Sequence, residues 1–308
     1  DVQLKIPGRK YGKPIPMTEE DIQDVINRFV FAAKIARESG FDGIQLHSAH
    51  GYLLSQFLSP DINQRTDAWG GSLENRARIH LEIIKKCREE VGNDFAISIK
   101  MNSADFQKGG FSPEDSIQVA KLFSDSGIDN IEISGGTYEQ PRLLGLDKVS
   151  INPKRSENRK ESTIAREAYF LSYAEEIAKV VNIPLMVTGG FRTKEGMEAA
   201  LRDGACEIVG VGRPLCANPY AIKELLSGQI DELPKYEKTL SIGPWWLSPT
   251  SPFRLIQAIN AFSAQAWFYQ QIKKMGKGLM PDLNLKPWKA FREDAKADQE
   301  AIKEYQNF

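Results

Sequence analysis

Apolar positions along the chain alternate between two patterns: short runs rich in Ile, Val and Phe, and longer stretches with a period near 3.6. The first helical stretch covers about residues 18–39. Thr18 caps it, Glu19, Glu20 and Asp21 fill its first turn, and Gly40 ends it. Ile22, Val25, Ile26, Phe29, Val30 and Ala33 recur at helical spacing and predict one buried stripe. A strand is expected at 41–46. Next come a helix at 72–91 and a strand at 95–101, with Ile97 and Ile99 on one face. Ser112, Pro113 and Asp115 form a helix start signal. That helix ends near Gly127 and leads to a strand at 130–134. A polar loop at about 137–162 precedes a helix at 163–181 and a strand at 184–188. A helix at 193–203 and a strand at 207–211 follow, and Asn218-Pro219 opens another capped helix. The remainder is rich in Trp and Pro, with one amphipathic helix near 253–275.

Five strand–helix units in series predict an α/β fold with a parallel sheet and covering helices. Two architectures fit: an open doubly wound sheet and a TIM (β/α)8 barrel. In a barrel, about five of the eight βα units lie in this chain, and three more are expected before residue 1. The chain opens on Asp1 rather than Met, so it is processed or part of a longer one. Residues 1–228 form the barrel portion in this reading. Residues 229–308 form a helical, Trp/Pro-rich extension packed on it.

Composition narrows the class. The chain has 308 residues, of which 41% are hydrophobic and 26% charged, ordinary globular usage. Its 40 basic and 41 acidic residues leave a net charge of −1, so nothing signals a nucleic acid or an anionic membrane as partner. No apolar run approaches the roughly 18 residues of a membrane span, and the N-terminus is not a signal peptide. Cys87, Cys206 and Cys216 are too few and too scattered for a disulfide framework or a Cys-rich metal site. A reducing, cytoplasmic location follows as the expectation; the oligomeric state stays open.

Candidate chemistry concentrates in three places. His47 ends the first strand, His50 stands three residues on, and Tyr52 follows. The pair can be loop histidines bonded to backbone, or two N–H donors aimed at one carbonyl oxygen with Tyr52 as an adjacent acid. A metal site is disfavoured because no third ligand lies at recognisable spacing. The second place is the turn Gly189-Gly190-Phe191-Arg192, followed after one helix by Gly212-Arg213. Both turns follow strands, where backbone N–H groups and Arg213 suit a phosphate. A GxGxxG fingerprint is missing, which argues against a separate dinucleotide domain. Lys100 is the third, a lysine in a buried strand that needs a partner or a cleft. The polar loop with Asn63, Arg65, Asp67, Gly70, Gly71, Glu74, Asn75 and Arg76 is read as structural.

The stretch from Phe41 to Pro60, with Asn63, Arg65, Asp67, Gly70-Gly71-Ser72 and Glu74-Asn75-Arg76, resembles the Old Yellow Enzyme family of NADH:flavin oxidoreductases. The resemblance covers roughly residues 15–225 and implies a (β/α)8 barrel that binds FMN, takes hydride from NAD(P)H and reduces the C=C bond of an α,β-unsaturated carbonyl compound. It implies that His47 and His50 bind the substrate carbonyl and that Tyr52 donates the proton. It further implies that Gly189, Gly190, Phe191, Gly212 and Arg213 hold the FMN phosphate. Lys100 falls where the family usually has an arginine beside the flavin pyrimidine. Pro214-Leu215 stands where many members have an aromatic pair. Two rival readings are a truncated, inactive barrel remnant and a flavin-free, phosphate-binding aldolase or isomerase.

Overall fold

The computed structural model describes residues 12–136 and 170–305. Helix α1 is Glu19–Glu38 and carries a full capping box, in which the Thr18 hydroxyl accepts from the Asp21 N–H and the Asp21 carboxylate accepts from the Thr18 N–H. Strand β1 (Gly43–Ser48), the short α2 (Leu53–Leu58) and α3 (Leu73–Val91) follow. Then come β2 (Ala96–Asn102), α4 (Pro113–Asp125) and β3 (Asn130–Ser134). After them lie α5 (Leu171–Ala178), β4 (Leu185–Thr188), α6 (Lys194–Arg202) and β5 (Ile208–Gly210). Ser72 and Ser112 cap α3 and α4, as their sequence signals require. The stripe of α1 is narrower than expected: Ile22, Ile26 and Ala33 are buried, while Val25, Phe29 and Val30 are half-buried. The expected loop at 137–162 and the start of the helix at 163–181 lie outside the described residues.

The five strands among the described residues are parallel and their order is β1-β2-β3-β4-β5, so each pairs with its neighbour in sequence. A doubly wound sheet reverses its order at a switch point. This sheet does not, and it winds as a barrel does.

Side-chain alternation gives the sheet two unlike faces. Leu46, Ile97, Ile99, Met101, Ile131, Ile133, Leu185 and Val187 form the buried apolar one. On the other lie Gln45, His47, Ser98, Lys100, Asn130 and Glu132, and all of these but Glu132 keep some exposure.

Beneath the apolar side, His80 of α3 is fully buried with Nε2 2.8 Å from the Ser48 hydroxyl. Burial pushes its imidazole down from 6.5 to about 3. The folded state therefore holds His80 neutral where the unfolded chain would protonate it. Its contribution to stability is complete above about pH 6.5 and drains away as pH falls towards 3. Urea midpoints at pH 7 and pH 4.5 should differ more for the parent than for His80→Gln. Equal differences would show that His80 carries no such linkage.

The chain divides into two compact units, residues 1–191 with 198–210, and residues 192–197 with 211–308. The second holds α7 (Arg213–Ala217), α8 (Ala221–Leu226), α9 (Tyr236–Thr239), α10 (Arg254–Met275) and α11 (Pro287–Tyr305). Its division from the first falls at Gly210, ahead of the sequence boundary at residue 228. The reason is packing. Ala217 of α7 shares a cluster with Leu240, Trp267 and Ala290, and Ala221 and Leu225 of α8 share another with Leu233. Two long helices, not one, build this region, because α10 packs along α11. Asn218-Pro219 does precede α8, but no side chain caps that helix. Among the described residues, no helix is long and apolar enough to cross a membrane.

Candidate active site

Strand β1 delivers His47 to the polar face near its C-terminal end. The chain then turns through His50, whose φ of 63° is unusual for a residue with a side chain. Two groups hold that turn. The His50 backbone N–H donates to Asn102 Oδ1 at 3.1 Å, and the His50 ring Nε2 lies 2.8 Å from the Ser134 hydroxyl. Asn102 is itself anchored, donating to Asp105 Oδ1 at 2.9 Å and to the Gly136 carbonyl at 3.1 Å. Tyr52 sits at the N-cap of α2 and is 45% exposed. The three rings cluster: the His47 centroid lies 5.2 Å from His50 and 5.0 Å from Tyr52.

Both histidines are held neutral near pH 7. Burial, then the nearby Lys100, lowers His47, while Glu132 opposes the shift. Burial, with His47 and Lys100 adding to it, pushes His50 down to about 3. A neutral imidazole has one N–H to offer. For His50, whose Nε2 faces Ser134, the outward donor is Nδ1–H only if the serine hydroxyl donates to Nε2.

Lys100 has a partner. His47, Lys100 and Glu132 share one row across β1, β2 and β3, and Lys100 Nζ lies 2.9 Å from Glu132 Oε1. The other carboxylate oxygen accepts from Gln45 Nε2 at 2.9 Å.

The polar loop behind this site is structural, as its sequence suggests. Asn63 donates to the carbonyls of Phe57 and Trp69, and Arg65 pairs with Asp67 at 2.5 Å. Arg76 is buried against Asp115 at 3.0 Å and also donates to the Leu58 carbonyl. A Cβ at Gly70 would lie 2.5 Å from the Arg65 carbonyl oxygen, so only glycine fits.

At the end of β4, Gly189 and Gly190 have φ of 125° and 89°, conformations that favour glycine. Beside them the Thr188 hydroxyl is buried and finds no hydrogen-bond partner among the described residues. Phe191 is buried. In the second unit, Gly212 precedes α7, and Arg213 Nη1 lies 3.9 Å from Glu237 Oε1. The same oxygen pairs with Arg192 at 2.5 Å.

The profile of the NADH:flavin oxidoreductase / NADH oxidase family matches residues 4–232. The chain belongs to this family. It is 36% identical over 271 residues to the NADH-dependent flavin oxidoreductase iccE of Talaromyces variabilis, covering 87% of this chain and 63% of that one. It is also 36% identical over 263 residues to the NADH oxidase of Thermoanaerobacter brockii, covering 85% of this chain and 38% of the relative. A 2-naphthoyl-CoA reductase bound to 2-naphthoyl-CoA superposes with a TM-score of 0.64 at 30% identity, over 75% of this chain and 34% of that one. The Old Yellow Enzyme homologue of Zymomonas mobilis shares the fold, with a TM-score of 0.57 at 23% identity over 72% of this chain and 57% of its own. The described residues thus carry five strands of the family's (β/α)8 barrel, and the chain spans less than two thirds of these proteins' lengths.

In a member of the NADH:flavin oxidoreductase family, the Gly189-Gly190 turn and the unpartnered Thr188 hydroxyl have the chemistry to take the FMN phosphate. Sequence reasoning missed Thr188, Asn102, Ser134 and Glu132. The available signal was a polar residue in an otherwise apolar parallel strand, where burial demands a partner.

Proposed function

We propose that this chain forms the substrate side and part of the cofactor side of an FMN-dependent oxidoreductase that uses NAD(P)H to reduce the C=C bond of α,β-unsaturated carbonyl compounds. The observation that carries the reading is the cluster of two neutral imidazoles and a phenol at the end of β1. Bound FMN supplies the hydride-accepting and hydride-donating chemistry between NAD(P)H and the β-carbon of an enone.

The chain's residues polarise and protonate. His47 and His50 each direct one N–H at the carbonyl oxygen and stabilise the negative charge that develops there. Tyr52 delivers a proton to the α-carbon. The amides of Gly189 and Gly190, with the Thr188 hydroxyl, hold the phosphate. The family resemblance adds Phe191, Gly212 and Arg213 to that set and puts Lys100 at the pyrimidine edge. A flavin-free aldolase would need a lysine available to attack a carbonyl, whereas Lys100 donates to Glu132.

A phenolate mimics the enolate, so a para-substituted phenol should bind an FMN-loaded form and give a charge-transfer band. Removing either His47 or His50 should weaken phenol binding by about 1.5–3 kcal/mol, the scale of a hydrogen bond to a charged group. The double substitution should cost less than the sum, because both contacts share one acceptor. Alanine variants that bind phenols as tightly as the parent would overturn the assignment, as would activity abolished by chelator and restored by zinc.

A further inference from the structure

Glu132 is a buried carboxylate, 3% exposed, in the middle of a parallel sheet. A charge in such a place costs several kcal/mol unless it is paired and fully hydrogen-bonded. Both of its oxygens are satisfied, one by Lys100 Nζ and one by Gln45 Nε2, each at 2.9 Å. The donors are braced in turn. Gln45 Nε2 also lies 3.2 Å from the Ser98 hydroxyl, which donates to Asn130 Oδ1 at 2.9 Å. Asn130 donates to the Pro184 carbonyl at 3.0 Å. A polar ladder therefore runs across β1, β2 and β3 one layer below His47, and its uppermost charged members lie in the His47 row.

We propose that Glu132 is a positioning and charge-setting residue: it fixes the Lys100 ammonium on the polar face and neutralises it, so that a ligand at this site meets an ion pair instead of a bare cation. The proposal rests on the flavin reading only for what the ligand is. An ion pair at the flavin edge favours the anionic, reduced form of FMN less than a lone lysine would. At His47, Lys100 and Glu132 act in opposite senses, Lys100 lowering the imidazole and Glu132 raising it. Among the described residues, the titratable groups facing His47 are these two, with His50 and Tyr52 from the loop after β1.

The test starts with the FMN-free chain, followed by NMR of the histidine ring protons. Glu132→Gln keeps the size and the contact with Gln45 and removes the charge. The His47 midpoint should then fall by about half a pH unit or more, as loss of a charge two strands away requires. In parallel, Lys100→Met should lower the urea midpoint, since it strands a buried carboxylate, and adding Glu132→Gln should restore most of that loss. In an FMN-loaded form, Glu132→Gln should tighten binding of reduced relative to oxidised flavin. An unmoved His47 midpoint, or a double variant no more stable than Lys100→Met, would overturn the proposal. Both expected results without any flavin effect would leave Glu132 as the partner of Lys100 and count against the flavin reading.

Discussion

Tyr52→Phe should leave flavin reduction by NAD(P)H nearly unchanged and slow enone reduction by roughly 10²–10⁴-fold, the loss expected when a general acid is removed. The substitution keeps the ring, so the 5.0 Å contact with His47 and the start of α2 persist. Only the hydroxyl group disappears, and with it the transferable proton. Tyr52 is partly open to solvent, so it can be reprotonated between turnovers. Hydride transfer from the nicotinamide needs no proton at that position, whereas completing the reduced alkene does. Stopped-flow measurement of the two half-reactions separates these cases. Equal slowing of both would give Tyr52 a positional role and leave the proton donor unassigned.

Ser134 should matter through His50. If its hydroxyl donates to Nε2, Ser134→Ala frees the imidazole to change tautomer, and phenol binding should weaken as much as in His50→Ala. Nitrogen-15 shifts of His50 would report the tautomer directly. A protonated Nε2 in the parent chain would remove His50 from the carbonyl clamp.

The elements with chemical punctuation were legible in the sequence. Thr18, Ser72 and Ser112 start their helices where capping chemistry says they must. Strand order was not legible from periodicity, which says which residues are strands and nothing about which strands pair; the family resemblance implied it through the barrel. The short helices α2 and α7 escape notice because five or six residues show no period. Helix α11 is dominated by charged residues and buries only Pro287 and Ala290, with Trp288 and Phe291 stacked 5.7 Å apart. So sparse a stripe is hard to read. At the site, the motif residues His47, His50 and Tyr52 are close in sequence and were found together. Their supports are not: Ser134 lies 84 residues from His50, and Gln45 lies 87 from Glu132. Contacts of that separation are set by sheet register, which a single sequence does not display.

The proposed function requires that this chain carry part of a flavin site on a barrel whose closure needs further strands. Strands β1 and β5 are the outer strands of the described sheet, and each pairs on one side only. Open strand edges leave amide and carbonyl groups without partners, and a closed barrel removes such edges. The Gly189-Gly190 turn after β4 and the His47, His50 and Tyr52 rings after β1 are proposed to supply the phosphate site and the carbonyl clamp, while flavin contacts from any preceding strands are not supplied by these residues. FMN titration followed by flavin absorbance and fluorescence therefore decides the matter. It should be run on this chain alone, and again on the chain fused to the first three βα units of the Talaromyces variabilis relative. The fused form should bind one FMN per chain, and the chain alone at least roughly a thousandfold more weakly, a difference of about 4 kcal/mol. Tight, stoichiometric binding by the chain alone would contradict the need for closure. A folded fusion that binds no FMN would contradict the flavin site itself.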